Sequence, residues 1–217
     1  MTLAEENYLK SIYHLENRGI SGVSTNAIAQ KIEAKPSSVT DMVKRLAEKE
    51  LLHHIKYQGV YLTEEGKKRA KQIIRKHRLW EVFLVEKLNF SWDEVHDVAE
   101  QLEHIKSKKL ITELDRFLEF PKKDPHGDPI PDQYGNFQPL DEQILAQLEV
   151  GESAICAGVK DSSKAFLHYL DQKGIKLGDT ISIVEKEPFD QSMVIALDER
   201  QLTITDRISK NISVKRI

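Results

Sequence analysis

The chain of 217 residues has little of what marks a secreted or membrane protein. Its single cysteine, Cys156, cannot form an internal disulfide, and nothing points to an oxidising compartment. No run of about 18 apolar residues is present, so we expect no transmembrane helix. Glu5 and Glu6 replace the apolar stretch of a secretory signal. We expect a cytoplasmic protein of two modest domains, or one domain with an appendage, and no membrane partner.

Several enzyme motifs are also missing. The sequence contains no glycine-rich phosphate loop and no His-Glu-x-x-His zinc protease motif. A di-iron carboxylate bundle needs two Glu-x-x-His pairs, and the one such pair, Glu50 to His53, falls at a predicted helix end. Cys156 has no adjacent base that would make it a nucleophile. We expect a protein that is not an enzyme, with a metalloenzyme as a remote alternative.

Charge is distributed unevenly along the chain. Residues 1–78 carry 15 Lys+Arg against 9 Asp+Glu, whereas the rest carries 17 against 26. A basic first third on an acidic body indicates a polyanion-binding module joined to another domain. A chance fluctuation in surface charge would give the same count, so the residue pattern must decide.

The first third has the pattern of a winged helix-turn-helix. Residues 3–17 have a helical apolar stripe, Ser24 or Thr25 caps a short second helix, and Pro36 begins a third that runs to about Glu50. Residues 51–57 and 60–62 are strand-like and surround a glycine, which predicts a β-hairpin.

The third helix would read the major groove of double-stranded DNA and the hairpin would contact the backbone. Its open face and the hairpin offer polar side chains, namely Lys35, Ser37, Ser38, Thr40, Asp41, Lys44, Arg45, Lys56 and Tyr57. Winged helices also bind proteins, and any three-helix domain has a polar outer helix.

Two longer helices are predicted next. Thr63 caps one that ends near Leu88, and the capping-box spacing of Ser91 and Glu94 opens another that ends near Phe117. They carry more apolar residues than a small winged helix needs: Leu79, Trp80, Phe83, Leu84, Val98, Leu102, Ile105, Leu110 and Leu114. We expect this surplus to form a homodimer interface.

The second of these helices carries a stripe of potential metal ligands. His96, Glu100, Glu103 and His104 stand at i, i+4, i+7 and i+8, which places them on one helical face, and the preceding helix has His77 and Glu81 at i, i+4. Such groups are costly to bury unpaired, and a divalent cation relieves that cost. Alternatively, each is an ordinary surface residue or an ion pair, such as Glu103 with Lys106.

The last part of the chain has a different pattern. Residues 121–138 hold four of the seven prolines and predict an extended linker. Strand-like runs at 181–184, 193–196 and 202–204, with a helix near 164–172, predict a small β-barrel. The fold class is therefore mainly α with a small β domain.

Three stretches resemble the diphtheria toxin repressor family of metalloregulators, especially its manganese-responsive branch. They are residues 6–13 (ENYLKSIY), 75–81 (RKHRLWE) and 95–104 (VHDVAEQLEH), supported by Pro125-His126-Gly127 and Ile130-Pro131. The resemblance covers nearly the whole chain. It implies a winged-helix domain over 1–70, a helical metal-binding and dimerisation domain over 71–120, a linker over 121–140, and an SH3-like (FeoA-like) domain over 141–217.

The resemblance also implies two sets of metal ligands. The first set is Asn7, Glu100, Glu103, His104 and Asp124, and the second set is His77, Glu81, His96, His126 and Asp161. Asn7 stands where the manganese branch usually has Asp, and Asp124 where relatives with the long linker tend to have Cys. Mostly oxygen donors favour Mn²⁺, with Fe²⁺ second, and Zn²⁺ is expected to bind in vitro.

These features together predict a metal-dependent repressor that binds a palindromic operator and controls metal-ion homeostasis genes. The alternative is a winged-helix regulator that senses a small organic ligand, in which the His/Glu cluster is structural.

Overall fold

The computed structural model describes residues 1–17, 19 and 22–217 and divides the chain into two compact units. Unit 1 comprises Met1–Trp80, Glu100–Leu114 and Pro131–Phe137, and unit 2 comprises Glu81–Ala99, Asp115–Ile130 and Gln138–Ile217. Within the described ranges, no helix is both long and apolar enough to cross a bilayer.

Eight α-helices, eight strands and one short 3-10 helix (Leu145–Gln147) are assigned in the described residues. The helices are α1 (Leu3–Asn17), α2 (Thr25–Lys31), α3 (Pro36–Glu48), α4 (Glu64–Leu88), α5 (Val95–Leu102), α6 (Lys108–Phe117), α7 (Lys164–Lys173) and α8 (Asp206–Ser209). The strands are β1 (Leu52–Ile55), β2 (Gly59–Leu62), β3 (Gln143–Ile144), β4 (Ser153–Val159), β5 (Thr180–Lys186), β6 (Met193–Leu197), β7 (Arg200–Ile204) and β8 (Ile212–Arg216).

The predicted winged helix is confirmed in unit 1. Ser24 caps α2 by accepting a hydrogen bond from the backbone N–H of Ala27 at 3.1 Å, and Pro36 begins α3. β1 and β2 pair antiparallel as a hairpin. Leu9, Ile28 and Leu46, one from each helix, are fully buried in a shared core. Burial of these apolar faces holds the three helices and the hairpin together.

Two polar contacts fix α1 to the rest of the winged helix. Glu5 is almost fully buried, and its Oε1 accepts a hydrogen bond from Lys49 Nζ at 2.6 Å, just beyond the end of α3. Near the other end of α1, Glu16 Oε1 accepts from the backbone N–H of Leu62 in β2 at 2.7 Å. The Lys49 contact lowers the pKa of Glu5, so the buried carboxylate stays ionised.

The partly buried His14 on α1 should make stability depend on pH. Burial, together with nearby positive charges such as Arg78, lowers the pKa of His14 to about 3. The unfolded chain therefore takes up this proton near pH 6.5, long before the folded chain does. We expect full stability above pH 6.5 and a loss of at most about 1.4 kcal/mol per pH unit as the pH falls toward 3.

Urea unfolding between pH 7 and 4 tests this expectation. His14→Gln should flatten the slope relative to wild type, whereas His54→Gln, at an exposed position on β1, should not. Equal slopes for the wild type and the His14 variant would show that His14 is not the responsible group.

The prediction of a single helix from Ser91 to about Phe117 is wrong, because two helices, α5 and α6, lie in that range. Residues 91–94 form a turn, in which the Ser91 N–H donates to Glu94 Oε2 at 3.1 Å, and α5 begins only at Val95. α5 ends at Leu102, and α6 begins after Ser107, whose Oγ accepts from the Leu110 N–H at 3.2 Å. Glu103 and His104 therefore lie in the turn after α5, not on its face.

Residues 118–142, which include the predicted linker, contain neither helix nor strand beyond one isolated bridge. Its second half packs in unit 1. Arg75 donates to the Pro131 carbonyl at 2.6 Å, and the Phe137 ring stacks on Tyr13 with centroids 6.5 Å apart. This part of the linker is thus ordered against the winged helix.

Unit 2 contains the predicted small β domain. Six antiparallel strands in the order β3-β8-β4-β5-β6-β7 enclose an apolar core, and α7 packs Phe166, Leu167 and Leu170 into it. Register shifts interrupt β4 between Cys156 and Gly158 and β5 between Ile183 and Glu185. Such bulges increase local twist and let a short sheet curve around its core.

Candidate functional site

Glu103 is the centre of a polar cluster in unit 1. Its side chain is 0% exposed, and both carboxylate oxygens accept hydrogen bonds from Lys10 Nζ, at 2.7 and 2.8 Å. His77 Nδ1 lies 2.6 Å from Glu103 Oε2. Burial alone raises the pKa of Glu103, but the bond from His77 and the Lys10 charge outweigh it, so the pKa lies below its usual value. An ionised carboxylate is therefore held in a water-excluded position.

The neighbouring side chains are also potential ligands. His104 Nδ1 lies 2.7 Å from Glu6 Oε2, while its Nε2 lies 3.8 Å from Glu103 Oε1. Glu100 Oε1 is 3.8 Å from Lys10 Nζ. Asn7, on α1, has a buried Oδ1 for which the described residues supply no hydrogen-bond partner. An unsatisfied buried oxygen is costly, and a cation would satisfy it.

These observations fit a divalent metal. Asn7, Glu100, Glu103 and His104 offer three oxygen donors and one imidazole, a hard donor set suited to Mn²⁺ or Fe²⁺. All four belong to unit 1. A cation bound by them would join α1 to the segment that follows α5.

Unit 2 contains a second group. Glu81, Asp124 and His126 are all buried and each offers a ligand atom within 4.8 Å of the others. His96 Nδ1 lies 3.5 Å from Glu81 Oε1, although its side chain is half exposed. The resemblance assigned Asp124 to the first set, but the structure brings it together with Glu81 and His126. This group also has the donors of a divalent-metal site.

His126 is held in position from two directions. Its Nε2 lies 2.7 Å from the carbonyl oxygen of Trp92, which accepts the ring N–H and leaves Nδ1 as the lone-pair nitrogen. Nδ1 lies 3.9 Å from Glu81 Oε1. The His126 carbonyl accepts from the Val159 N–H of β4 at 2.8 Å, and the Trp92 ring stacks on the imidazole. The β domain therefore helps to orient this potential ligand.

Gly127 makes this arrangement possible, and its substitution should be costly. Its φ is +91°, and an added Cβ would lie 2.3 Å from Gly158 Cα and 2.4 Å from the Ala157 carbonyl oxygen. We expect Gly127→Ala to lose about 2 kcal/mol or more of unfolding free energy, because the new Cβ would overlap backbone atoms of β4 and not a flexible side chain.

Gly151→Ala is the matched control for thermal unfolding. Gly151 has φ +88°, but nothing lies within 4 Å of its built Cβ. Equal losses for the two variants would mean that backbone strain, and not the close approach of Gly127 to β4, sets the cost.

The remaining predicted ligands are His77 and Asp161. His77 lies one turn before Glu81 on α4, which puts both on one helical face. Asp161 Oδ1 accepts from the Ser163 N–H at 2.9 Å before α7. Asp161 is absent from the potential metal groups found among the described residues.

The predicted DNA-reading residues lie on an open surface. Lys35, Ser37, Ser38, Asp41, Lys44, Arg45, Lys56 and Tyr57 are exposed, and Thr40 is partly exposed. The Thr40 hydroxyl donates to the Pro36 carbonyl at 3.0 Å, so its proton is already engaged. Lys56 Nζ lies 4.9 Å from the centre of the Tyr57 ring at the hairpin tip. Positive charge on this face comes from Lys35 at the start of α3 and from Lys44 and Arg45 in its C-terminal half.

Sequence reasoning missed three residues that shape these sites. Glu6 contacts His104, Lys10 contacts Glu103, and Trp92 contacts His126. Glu6 and Lys10 lie at i−1 and i+3 from Asn7, so helical spacing could have indicated Lys10. Trp92 has no local signal, because its contact joins distant parts of the chain.

Comparisons with known proteins agree with this arrangement. Residues 1–60 match the family model "Iron dependent repressor, N-terminal DNA binding domain", and residues 63–132 match "Iron dependent repressor, metal binding and dimerisation domain". Residues 144–216 match the FeoA domain, which confirms the predicted SH3-like class of the C-terminal part.

Individual relatives extend the match. The chain is 36% identical over 124 residues to the transcriptional regulator MntR of Oceanobacillus iheyensis, which covers 57% of this chain and 82% of MntR. It is 35% identical over 126 residues to the iron-dependent repressor IdeR of Mycobacterium tuberculosis, covering 58% of this chain and 54% of IdeR, so the alignment spans about half of that relative.

A solved manganese-dependent transcriptional repressor in complex with manganese superposes with a TM-score of 0.86 at 32% identity, covering 98% of this chain and all of that one. The chain thus belongs to the diphtheria toxin repressor family of metal-dependent transcriptional regulators.

Proposed function

We propose that this protein is a Mn²⁺- or Fe²⁺-responsive repressor that binds palindromic DNA as a homodimer in the cytoplasm and controls metal-ion homeostasis genes. One observation carries the proposal: the ionised Glu103 is fully buried, is bonded to Lys10 of α1 in the winged helix, and lies 3.8 Å from His104. Solved relatives that share the fold are described with manganese, Cd²⁺ or Zn²⁺. The domain boundaries 1–70, 71–120, 121–140 and 141–217 are part of the proposal.

The metal would act by joining elements and neutralising charge. In the first set, Asn7 would bring α1 to Glu100, Glu103 and His104. In the second set, Glu81, His96 and His126 would bind together with His77 from the same helix as Glu81. Asp124 fits the second set by position, and Asp161 stays a proposed additional ligand. Glu103 also accepts the His77 Nδ1–H, a contact that would fix the orientation of the His77 ring.

α1 would transmit the metal signal to the DNA-reading surface. Its buried Glu5 holds Lys49 beside α3, and its Glu16 holds the N–H of Leu62 in the wing. Fixing α1 would therefore fix the orientation of the reading helix. In a homodimer, two such helices about 34 Å apart would match one turn of DNA.

Exposed aromatic residues support dimerisation. In unit 2, Phe117 is 61% and Phe120 is 55% exposed. Both lie in the part of the chain that matches the metal-binding and dimerisation domain. By contrast, several residues predicted for the interface, including Leu79 and Leu84, are buried within this chain, so the proposed interface is narrower than the apolar surplus suggested.

Metal analysis and DNA binding test the proposal together. Purified protein should bind Mn²⁺ stoichiometrically and select palindromic sequences from random DNA with Mn²⁺ present but not with chelator. DNA binding that is equal with and without metal, in protein that carries no metal, would favour the organic-ligand regulator. Titration with Mn²⁺, Fe²⁺ and Zn²⁺ would rank the metals.

A further inference from the structure

We propose that Lys10 is a built-in competitor of the metal: its ammonium group occupies the first ligand set until a divalent cation displaces it. This inference rests on the proposed function and concerns how the same site is regulated. It assigns a role in setting metal affinity to a residue that is not itself a ligand.

The contacts of Lys10 are those of a bound cation. Its Nζ donates to both oxygens of the fully buried Glu103, at 2.7 and 2.8 Å, and lies 3.8 Å from Glu100 Oε1. Charge-assisted bonds of this kind are among the stronger hydrogen bonds in proteins. The Lys10 side chain is only 12% exposed, so water screens this attraction weakly.

A metal ion and this ammonium group cannot use the Glu103 carboxylate in the same way. Divalent cations approach carboxylate oxygens to about 2 Å, inside the space that Lys10 Nζ borders at 2.7 Å. Their like charges would also repel each other strongly at such a separation in a buried site. Metal binding therefore requires Lys10 to leave Glu103.

Helix α1 carries both Lys10 and the proposed metal ligand Asn7. Asn7 and Lys10 are three residues apart on α1, which places them on one face. Without metal, Lys10 ties α1 to Glu103; with metal, Asn7 would replace that tie through the cation. The exchange raises the metal concentration required for activation, because part of the metal's binding free energy goes into displacing Lys10.

Calorimetric titration with MnCl₂ of the full chain tests this, in a His126→Ala background that removes a proposed ligand of the second set. Lys10→Met should bind Mn²⁺ about tenfold more tightly than the background protein, the size of a typical coupling between sites. The metal-free variant should melt at a lower temperature, and Mn²⁺ should raise its melting temperature further than that of the background. If Lys10→Met does not fold, Lys10→Gln replaces it: this variant also lacks the positive charge and should likewise bind Mn²⁺ more tightly than the background protein.

Lys49→Met is the matched control. Lys49 also pairs with a buried glutamate, Glu5, at 2.6 Å, but that pair includes no proposed ligand. This variant should melt at a lower temperature with unchanged Mn²⁺ affinity. If the Lys10 variants bind Mn²⁺ no more tightly than the background, Lys10 is only a structural ion pair and the inference is wrong. If the background protein binds no Mn²⁺, the proposed function itself fails.

Discussion

Glu103→Gln is expected to abolish metal-dependent DNA binding at Mn²⁺ concentrations that saturate the wild type. The substitution keeps the size of the side chain but removes the charge that Lys10 and His77 contact. Metal binding by the first set would weaken because a ligand is lost. Metal binding by the second set would weaken because His77 loses the carboxylate that orients it. Because loss of an orienting partner alone costs about 10–100-fold, we expect Mn²⁺ affinity to fall by about 100-fold or more.

Glu5→Gln separates this effect from a general loss of buried charge. Glu5 is also buried and paired with a lysine, in the same unit, but it is not a proposed ligand. Calorimetry should find near-normal Mn²⁺ affinity for the Glu5 variant and a large loss for the Glu103 variant. Tight, metal-dependent DNA binding by Glu103→Gln would refute the proposed first site.

The double substitution Lys44→Ala and Arg45→Ala is expected to weaken DNA binding and its dependence on salt. Both side chains are exposed on α3, where each would neutralise a phosphate and release a condensed counterion. The slope of log affinity against log salt should shrink by about 0.9 for every phosphate that the variant no longer neutralises. Fluorescence anisotropy with labelled DNA, between about 50 and about 300 mM salt, measures this slope.

Lys215→Ala with Arg216→Ala is a charge-matched control. These two residues are also adjacent and exposed, at the end of β8 in unit 2. The control should keep the wild-type slope. If both double variants change the slope equally, net charge and not the α3 surface governs DNA binding.

The winged helix and the β domain could be predicted because their signals are local. Ser24 as a cap, Pro36 at a helix start and the glycine between two short strands each act through neighbouring residues. Alternating apolar residues likewise marked β5 and β6, whose buried faces follow the alternation. Local sequence patterns therefore predict which helix or strand contains a residue, without knowledge of tertiary contacts.

The break between α5 and α6 could not be predicted with the same ease. Residues 103–107 contain neither glycine nor proline, and the helical spacing of potential ligands continues through them. The helix ends because Glu103 and His104 turn to contacts with distant residues, including Lys10 and Glu6. Ser107 was the one local sign, since its side chain caps α6.

The ligand sets illustrate the same distinction. The resemblance named ten candidates, but the geometry groups Asp124 with Glu81 and His126, and it shows Asp161 capping a turn. Helical spacing places Lys10 on the same face as Asn7, but its pairing with a carboxylate 93 residues away has no local signal. Long-range polar contacts of this kind are specified by the fold and not by local spacing.

Metal binding and DNA binding are expected to be coupled through α1. The most direct test measures Mn²⁺ affinity with and without saturating operator DNA, alongside DNA affinity with and without Mn²⁺. Linkage requires both affinities to change by the same factor, and we expect that factor to be well above tenfold. Mn²⁺ affinity that is unchanged by operator DNA would contradict the account.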